Sequence, residues 1–313
     1  MSNNKKLLKN EPPPPSLSVV VVTFYNSSYL KNCLTALEQQ IGSPDMEIIV
    51  VCDEIIDNVP SLRAQFPSVK FHHLSGLQTH EKLLAVGVGQ ARGKVVALTV
   101  NHCTPEQHWC AHIMEAHVDP YSAVGGAVEM GPQPDTAVNW AIHLYDESAY
   151  GYYQNPLTRG PAKNLSVTNV SYKRKILTSM ADFWANGFDV PALNRALLAA
   201  GETIWLSPDI VVYQHRSMNF RQAIREPYGQ GRSFAKIRAA KFAASKRLFY
   251  MFFSTLLPLL LLSRLIINII RKRLYFSAVI RAFPFVLLFS ILWSCGEFIG
   301  YITGKPNTIL DVD

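Results

Sequence analysis

Residues 17–26 read LSVVVVTFYN, an unbroken run of β-branched and other apolar residues that stops on polar ones. A strand with one wet face alternates apolar and polar side chains. A run without alternation is buried on both faces, the condition of a parallel sheet covered by helices. That one stretch restricts the chain to layered α/β folds, and the residues after it keep to the restriction. SSYLKNCLTALEQQ (27–40) opens on a serine cap and spaces its apolar residues three and four apart, which predicts a helix. MEIIVVCDEIID (46–57) is a second buried strand ending in acids, and VKFHHL (69–74) a short third. HEKLLAVGVGQARG (80–93) reads as a helix closed by Gly93, and KVVALTV (94–100) as a fourth strand. The alternation predicts an α/β class with a doubly wound, Rossmann-like sheet and right-handed crossovers.

Ligands of such sheets bind beyond the carboxyl ends of the strands. The polar residues there are Thr23, Tyr25, Asn26, Asp53, Asp57, Asn101 and His102, and one crevice should gather them. Asp53 and Asp57 suit hydrogen bonds from a ribose or a base N–H, and equally suit a helix cap or a solvated loop. Arg92 and Lys94, around Gly93, suit a diphosphate or the carbonyl end of a helix. His108 and His112 stand one helical turn apart and raise the question of zinc. The segment lacks a recognised ligand spacing and a second cluster, and Trp109, Ile113 and Met114 fit an amphipathic helix.

The stretch 121–215 is less periodic. AVGGAVEMG reads as a strand, NLSVTNVSYKRKIL as a strand entering a helix, VPALNRALLAAGE (190–202) as a helix, and TIWLSPDIVVYQH as extended chain. Asp182 and Asp189 precede the 190–202 helix. Asp189 is placed both to cap that helix and to serve as a general base.

From residue 247 the composition changes. The 247–270 and 282–302 segments are each about long enough to cross a bilayer core, and Arg264 and Glu297 interrupt them. The alternative is a buried hairpin of a soluble domain. Lys236, Arg238, Lys241, Lys246 and Arg247 precede the first segment and favour a cytoplasmic start. The connecting RKRLYFSAVIR is also basic, so two crossings would break the positive-inside tendency, and the first segment reads alternatively as re-entrant or interfacial. The formal charge of +7 is therefore assigned to a membrane surface rather than to nucleic acid. Arg232, in YGQGRSFAKIRAAK, fits a phosphate contact better than a topogenic flank. Five scattered cysteines without a CxxC pair argue against a disulfide framework and fit a reducing compartment. The expected division is a Pro-rich tail (1–15), a globular domain (16–240), a membrane segment (241–304) and a short tail (305–313).

In their order and spacing, LSVVVVTFYNSSYLKNCLTALEQQ, EIIVVCDEIID, ARGKVVALTVNHCTPEQHW, AVGGAVE, NVSYKRKIL, ALNRALLAAGETIWLSPDIVVYQH, GRSFA and GEFIGYITG resemble the membrane-anchored glycosyltransferases of family 2. The likeness runs over roughly 17–304. It implies a GT-A fold and transfer of a sugar from a nucleotide-sugar, with UDP favoured, to a glycan or lipid-linked acceptor at the cytoplasmic face of the cell membrane. It implies that Thr23, Tyr25 and Asn26 wall the base, that Asp53 binds uridine and that Asp57 closes the same motif. It places Asn101 and His102 at the acidic DxD-type metal motif, and 187–191 at the catalytic base. Here no carboxylate remains in the metal motif, so Mg²⁺ or Mn²⁺ is doubtful, and Asp189 stands one place before the strict base position, which Val190 fills. Three readings follow. One is an active inverting transferase with Asp189 as base and cations such as Arg92 or Arg232 on the leaving diphosphate. Another is a silent relative that binds a nucleotide-sugar or other glycan-assembly proteins. The last is an unrelated membrane protein with a Rossmann-like domain.

Overall fold

Burial on both faces is what the first strand shows: all six residues of β1 (Leu17–Val22) are buried. The computed structural model describes residues 13–23, 28–53, 59–76, 78–145, 149–239, 242–273 and 275–304. After β1 come α1 (Ser28–Glu38), β2 (Met46–Cys52), α2 (Val59–Gln65), β3 (Lys70–His73), α3 (His80–Gln90) and β4 (Val95–Val100). Then follow β5 (Cys103–Pro105), α4 (Trp109–Ala116), β6 (Ala123–Met130), α5 (Ala137–Tyr145), β7 (Gly160–Pro161), β8 (Val170–Lys173), α6 (Arg174–Ser179), α7 (Ala181–Trp184), α8 (Val190–Ala199) and β9 (Ile204–Gln214). The chain ends in α9 (Phe220–Ala239), α10 (Ala244–Ser254), α11 (Leu257–Lys272) and α12 (Phe276–Thr303).

The sheet runs β3-β2-β1-β4-β8-β6-β9-β5, with β7 on β9. The first four strands are parallel, and β8 is antiparallel to both β4 and β6. The doubly wound half predicted from the alternation is thus present, extended by a mixed half in which β6 and β9 are long and β5, β7 and β8 have two to four residues. Val22 pairs with both Val51 and Val100, so the carboxyl ends of β1, β2 and β4 are level. Gly87 lets α3 lie close on the sheet, since a Cβ there would stand 2.3 Å from Val20. Gly93, expected to close α3, does something else. The helix ends at Gln90, and a Cβ on Gly93 would stand 2.4 Å from the Ser18 nitrogen, so glycine is required for backbone approach. Gly201, after α8, has φ +79° and closes its helix.

Two units divide the contacts. One comprises Met1–Ala127 and Thr158–Val212, the other Val128–Leu157 and Tyr213–Asp313. The second unit gathers α5, α9 and the three apolar helices. The single segment expected over 247–270 is broken into α10 and α11, bent by 56°. Pro258 has no N–H to offer the Ser254 carbonyl one turn earlier. That carbonyl instead accepts a hydrogen bond from Ser294 Oγ of α12 at 2.7 Å. The helix α12 is long and apolar enough to cross a membrane.

Candidate active site

Thr23, Asp53 and Asn101 follow directly on β1, β2 and β4, and the level register sets them side by side. The Thr23 N–H donates to the Val51 carbonyl and the Asn101 N–H to the Val22 carbonyl. Thr23, Asp53, Asn101 and His102 are all buried. A buried carboxylate needs donors, and one of those of Asp53 is the Gln78 N–H, at 2.9 Å to Oδ2. Gln78 leads into the start of α3, where Thr79 caps the helix by accepting from the Lys82 N–H.

The same short stretch holds the other half of the site. The Phe188 N–H donates to the Glu81 carbonyl at 2.8 Å. A Cβ on Gly187 would lie 3.6 Å from Glu81 Cβ. Gly187 and Phe188 are therefore tied to 78–81, and so is Asp53. Asp53 and Phe188, the residue before Asp189, meet one turn of backbone at the carboxyl edge of the sheet, although they are far apart in the chain. Nothing local in the sequence signals the 78–81 bridge beyond a threonine that caps a helix. Asp189 is exposed, and its Oδ1 accepts from the Ala192 N–H at 3.0 Å as the N-cap of α8. The cap fixes the orientation of the carboxylate, and Oδ2 makes no hydrogen bond among the described residues.

Arg92 is not brought to this place. The Ser18–Glu47–Val96 register lies at the amino edge of the sheet, and Arg92 sits beyond it. Its N–H donates to Glu47 Oε1 at 2.7 Å and its Nε lies 3.9 Å from Oε2. Five residues of strand, or about 16 Å, separate Ser18 from Thr23. The expected role of Arg92 at a diphosphate is thus corrected to a role in the frame: its partner is the buried Glu47. An alternative cation is exposed Lys82, in the first turn of α3. Arg232 lies on α9 in the second unit, its backbone against Gly300 of α12. Tyr25, Asn26 and Asp57 fall outside the described residues.

Asn101 and His102 occupy the position where the resemblance expects metal-binding acids. His102 Nδ1 and Asn101 Oδ1 are 3.4 Å apart. A Mg²⁺ bridging a diphosphate asks for carboxylate oxygens. One amide oxygen and one imidazole nitrogen carry no compensating charge, so these residues do not fit such an ion. The zinc alternative is not assembled either. His112 Nδ1 meets the Asp209 carbonyl at 2.9 Å, and His108 faces Glu106. Among the described residues no group of three His, Cys, Asp or Glu is arranged for a metal.

A comparison with curated proteins gives no match. Among solved structures, the mannosyltransferase PcManGT from Pyrobaculum calidifontis, in complex with GDP-Man and Mn²⁺, is similar over 94% of this chain and 90% of its own. The identity is 14% and the TM-score 0.53, a likeness of fold, and the fold is GT-A. Residues 18–180 match the sequence profile of Glycosyl transferase family 2. The chain belongs to glycosyl transferase family 2.

Proposed function

We propose that this chain transfers a sugar from a nucleotide-sugar, UDP-linked by preference, to a glycan or lipid-linked acceptor at a membrane, with inversion at the anomeric carbon. The observation that carries the reading is the shared tether: Asp53 and Phe188, the residue before Asp189, both bond to residues 78–81. Asp53, with Thr23, supports the nucleoside. Tyr25, Asn26 and Asp57 keep the roles that the resemblance assigns them. Asp189 Oδ2 accepts the proton of the acceptor hydroxyl while that oxygen attacks the anomeric carbon. The bond from sugar to diphosphate breaks with its electron pair on the leaving oxygen. Lys82 of the first unit is the cation we assign to the leaving group, in place of Arg92 and of divalent metal. The PcManGT structure contains Mn²⁺, and the absence of acids at Asn101 and His102 argues that this chain works without it.

That same absence favours a second reading. A chain that retains the nucleoside half of its site and has lost the metal half binds a nucleotide-sugar without turning it over, and serves other glycan-assembly proteins. For both readings the apolar helices hold the chain to the cell membrane, with the first unit in the cytoplasm, in the service of envelope polysaccharide.

One experiment separates the readings. UDP affinity is measured with Mn²⁺ and with EDTA, and UDP release is followed over a panel of sugar nucleotides for the natural chain and for Asp189→Asn. Release that is unaffected by EDTA and lost in Asp189→Asn, with UDP affinity kept in the variant, supports the transferase. Binding without release from any donor supports the silent relative. Failure to bind any nucleotide removes both.

A further inference from the structure

The second unit contains a conflict that the apolar sequence of α12 hides. At about 1.5 Å per residue the 28 residues of α12 measure about 42 Å, enough for a hydrocarbon core of about 30 Å. Yet α12 is not free to enter that core on all sides. The helix α9 runs beside it in parallel. Phe220 stacks edge-on with Phe285 at one end, and at the other a Cβ on Gly300 would lie 2.7 Å from Ala235. Between these points the backbones touch. A Cβ on Gly231 would stand 2.3 Å from the Trp293 carbonyl oxygen, and one on Gly296 2.1 Å from that of Tyr228. The buried stripe of α9 is Ala223, Pro227, Gly231 and Ala235, one small or compact residue per turn.

The rest of α9 carries six charged residues, Arg221, Arg225, Glu226, Arg232, Lys236 and Arg238, beside exposed Phe220 and Phe234. A helix with six charges in twenty residues does not enter hydrocarbon. Because α9 covers α12 from about residue 285 to 300, only 276–284 and 301–303 lie free of it, about 13 Å and about 5 Å. The longer remainder carries the Arg281–Asp135 ion pair, at 3.0 Å. Glu297, the acid inside the apolar run, faces the α9 side. It accepts from Trp293 Nε1 and Tyr301 Oη, and Arg238 lies 3.9 Å away.

The opposite faces are largely apolar, with exposed Arg264 on α11 between their hydrophobic side chains. Most of the large hydrophobic side chains left exposed among the described residues belong to 248–302, among them Phe249, Phe252, Leu259, Ile270, Ile291 and Ile302. Cations stand at both ends of the bent α10–α11 pair: Lys246 and Arg247 in the first turn of α10, Arg271 and Lys272 in the last turn of α11 and Arg273 at its cap. Arg247 Nη2 donates to the Ile302 carbonyl at 2.6 Å. Lys272 Nζ donates to the Gly151 and Gln154 carbonyls at 2.9 and 2.8 Å.

We propose that α10, α11 and α12 lie in one leaflet of an anionic bilayer, their apolar faces in the acyl chains, and that no helix of this chain crosses. This arrangement keeps α9 in water, and it places the basic 271–273 turn and the basic start of α10 on one surface of anionic headgroups. The positive-inside difficulty raised by that turn then disappears. The proposal rests on the membrane attachment inferred above and goes beyond it.

The test uses the full chain in a Cys295→Ser background, the other four cysteines being buried. Single reporters are Ser68→Cys in the first unit, Ser277→Cys at the start of α12 and Thr303→Cys at its end, all exposed positions. A membrane-impermeant maleimide is applied to intact cells and to sealed inside-out vesicles. All three reporters labelling from one side, in a chain recovered with the membrane, supports the in-plane seat. Labelling of Ser277→Cys from the side opposite Ser68→Cys means that α10–α11 crosses. Labelling of Thr303→Cys from the opposite side means that α12 crosses. Either outcome overturns the proposal and leaves membrane attachment standing, whereas recovery in the soluble fraction overturns both. If a variant fails to accumulate, trypsin on sealed vesicles of the natural chain gives the readout for the turn. Cleavage at Arg271–Arg273 from the side of the first unit supports the seat, and protection from that side with cleavage from the other overturns it.

Discussion

Arg92 is the residue on which the argument about sheet edges is most exposed to test. If it belongs to the frame, the element that matters is Glu47. Its carboxylate accepts from Ser18 Oγ at 2.6 Å, Lys70 Nζ at 2.6 Å and the Arg92 N–H at 2.7 Å, and it is buried. Ser18 Oγ in turn accepts from the Gly93 N–H at 2.7 Å. Glu47→Ala strands a buried hydroxyl and a main-chain N–H, and removing one partner of a buried charged network costs about 3–5 kcal/mol. At roughly 2–4 °C per kcal/mol, thermal unfolding should fall by about 6–20 °C. Arg92→Ala should do far less. Its side chain is partly exposed and 3.9 Å from Glu47, so the loss is below about 1 kcal/mol, and the N–H contact survives. Neither change should alter UDP affinity once binding is measured well below the melting range. Burial pulls the Glu47 carboxyl up, but the bonds from Lys70, Ser18 and the Arg92 N–H outweigh it and hold the group below its ordinary value. A depressed carboxyl contributes stability above its unfolded pKa, near 4.3, that is lost as pH falls through the folded value. The natural chain should therefore lose stability more steeply below pH 5 than Glu47→Gln. An Arg92→Ala chain that melts normally and no longer binds UDP would refute the assignment of Arg92 to the frame.

Further expectations concern other parts of the molecule. Asp53→Asn keeps the shape beside Gln78 and removes the charge, so UDP affinity should drop at least tenfold with little change in melting; calorimetric titration checks this. His117 is buried against Ser171 Oγ at 2.8 Å, and burial, aided by Lys173, pushes its pKa down to about 3. The unfolded chain takes up this proton near pH 6.5 while the folded chain does not, so stability should decline from pH 6.5 towards 3 by about 4 kcal/mol. Denaturant titrations at several pH values should show that decline reduced in His117→Gln. Gly296→Val drives a side chain into the Tyr228 carbonyl and should cost about 2–3 kcal/mol or more, read as a lower melting temperature in detergent, while Cys295→Ser on the exposed side should cost almost nothing.

The parallel half of the sheet was legible because its information is local. LSVVVV, MEIIVVC and KVVALTV each declare burial on both faces without reference to one another. The carboxyl-end residues Thr23, Asp53 and Asn101 followed from those runs, since a strand end is also a local feature. The mixed half was less legible. β5 and β8 have three and four residues, α5 was not predicted at all, and the break between α10 and α11 turned on one proline within an apolar run. Arg92 was misplaced for a different reason. A cation between a helix and a strand is compatible with either edge of a sheet, and only the register of Ser18 with Glu47 and Val96 says which.

By itself the sequence determined the layer type, the strands that carry the site and the apolar character of 247–302, because each depends on side chains a few residues apart. The tertiary structure alone decided that Asp53 and residues 187–188 share the 78–81 tether, that Arg92 serves Glu47, and that Gly231, Gly296 and Gly300 bind α12 to a charged helix. Those are contacts between segments far apart in the chain. A helix apolar on every side carries no mark of which face meets protein and which meets lipid until its neighbour is in place.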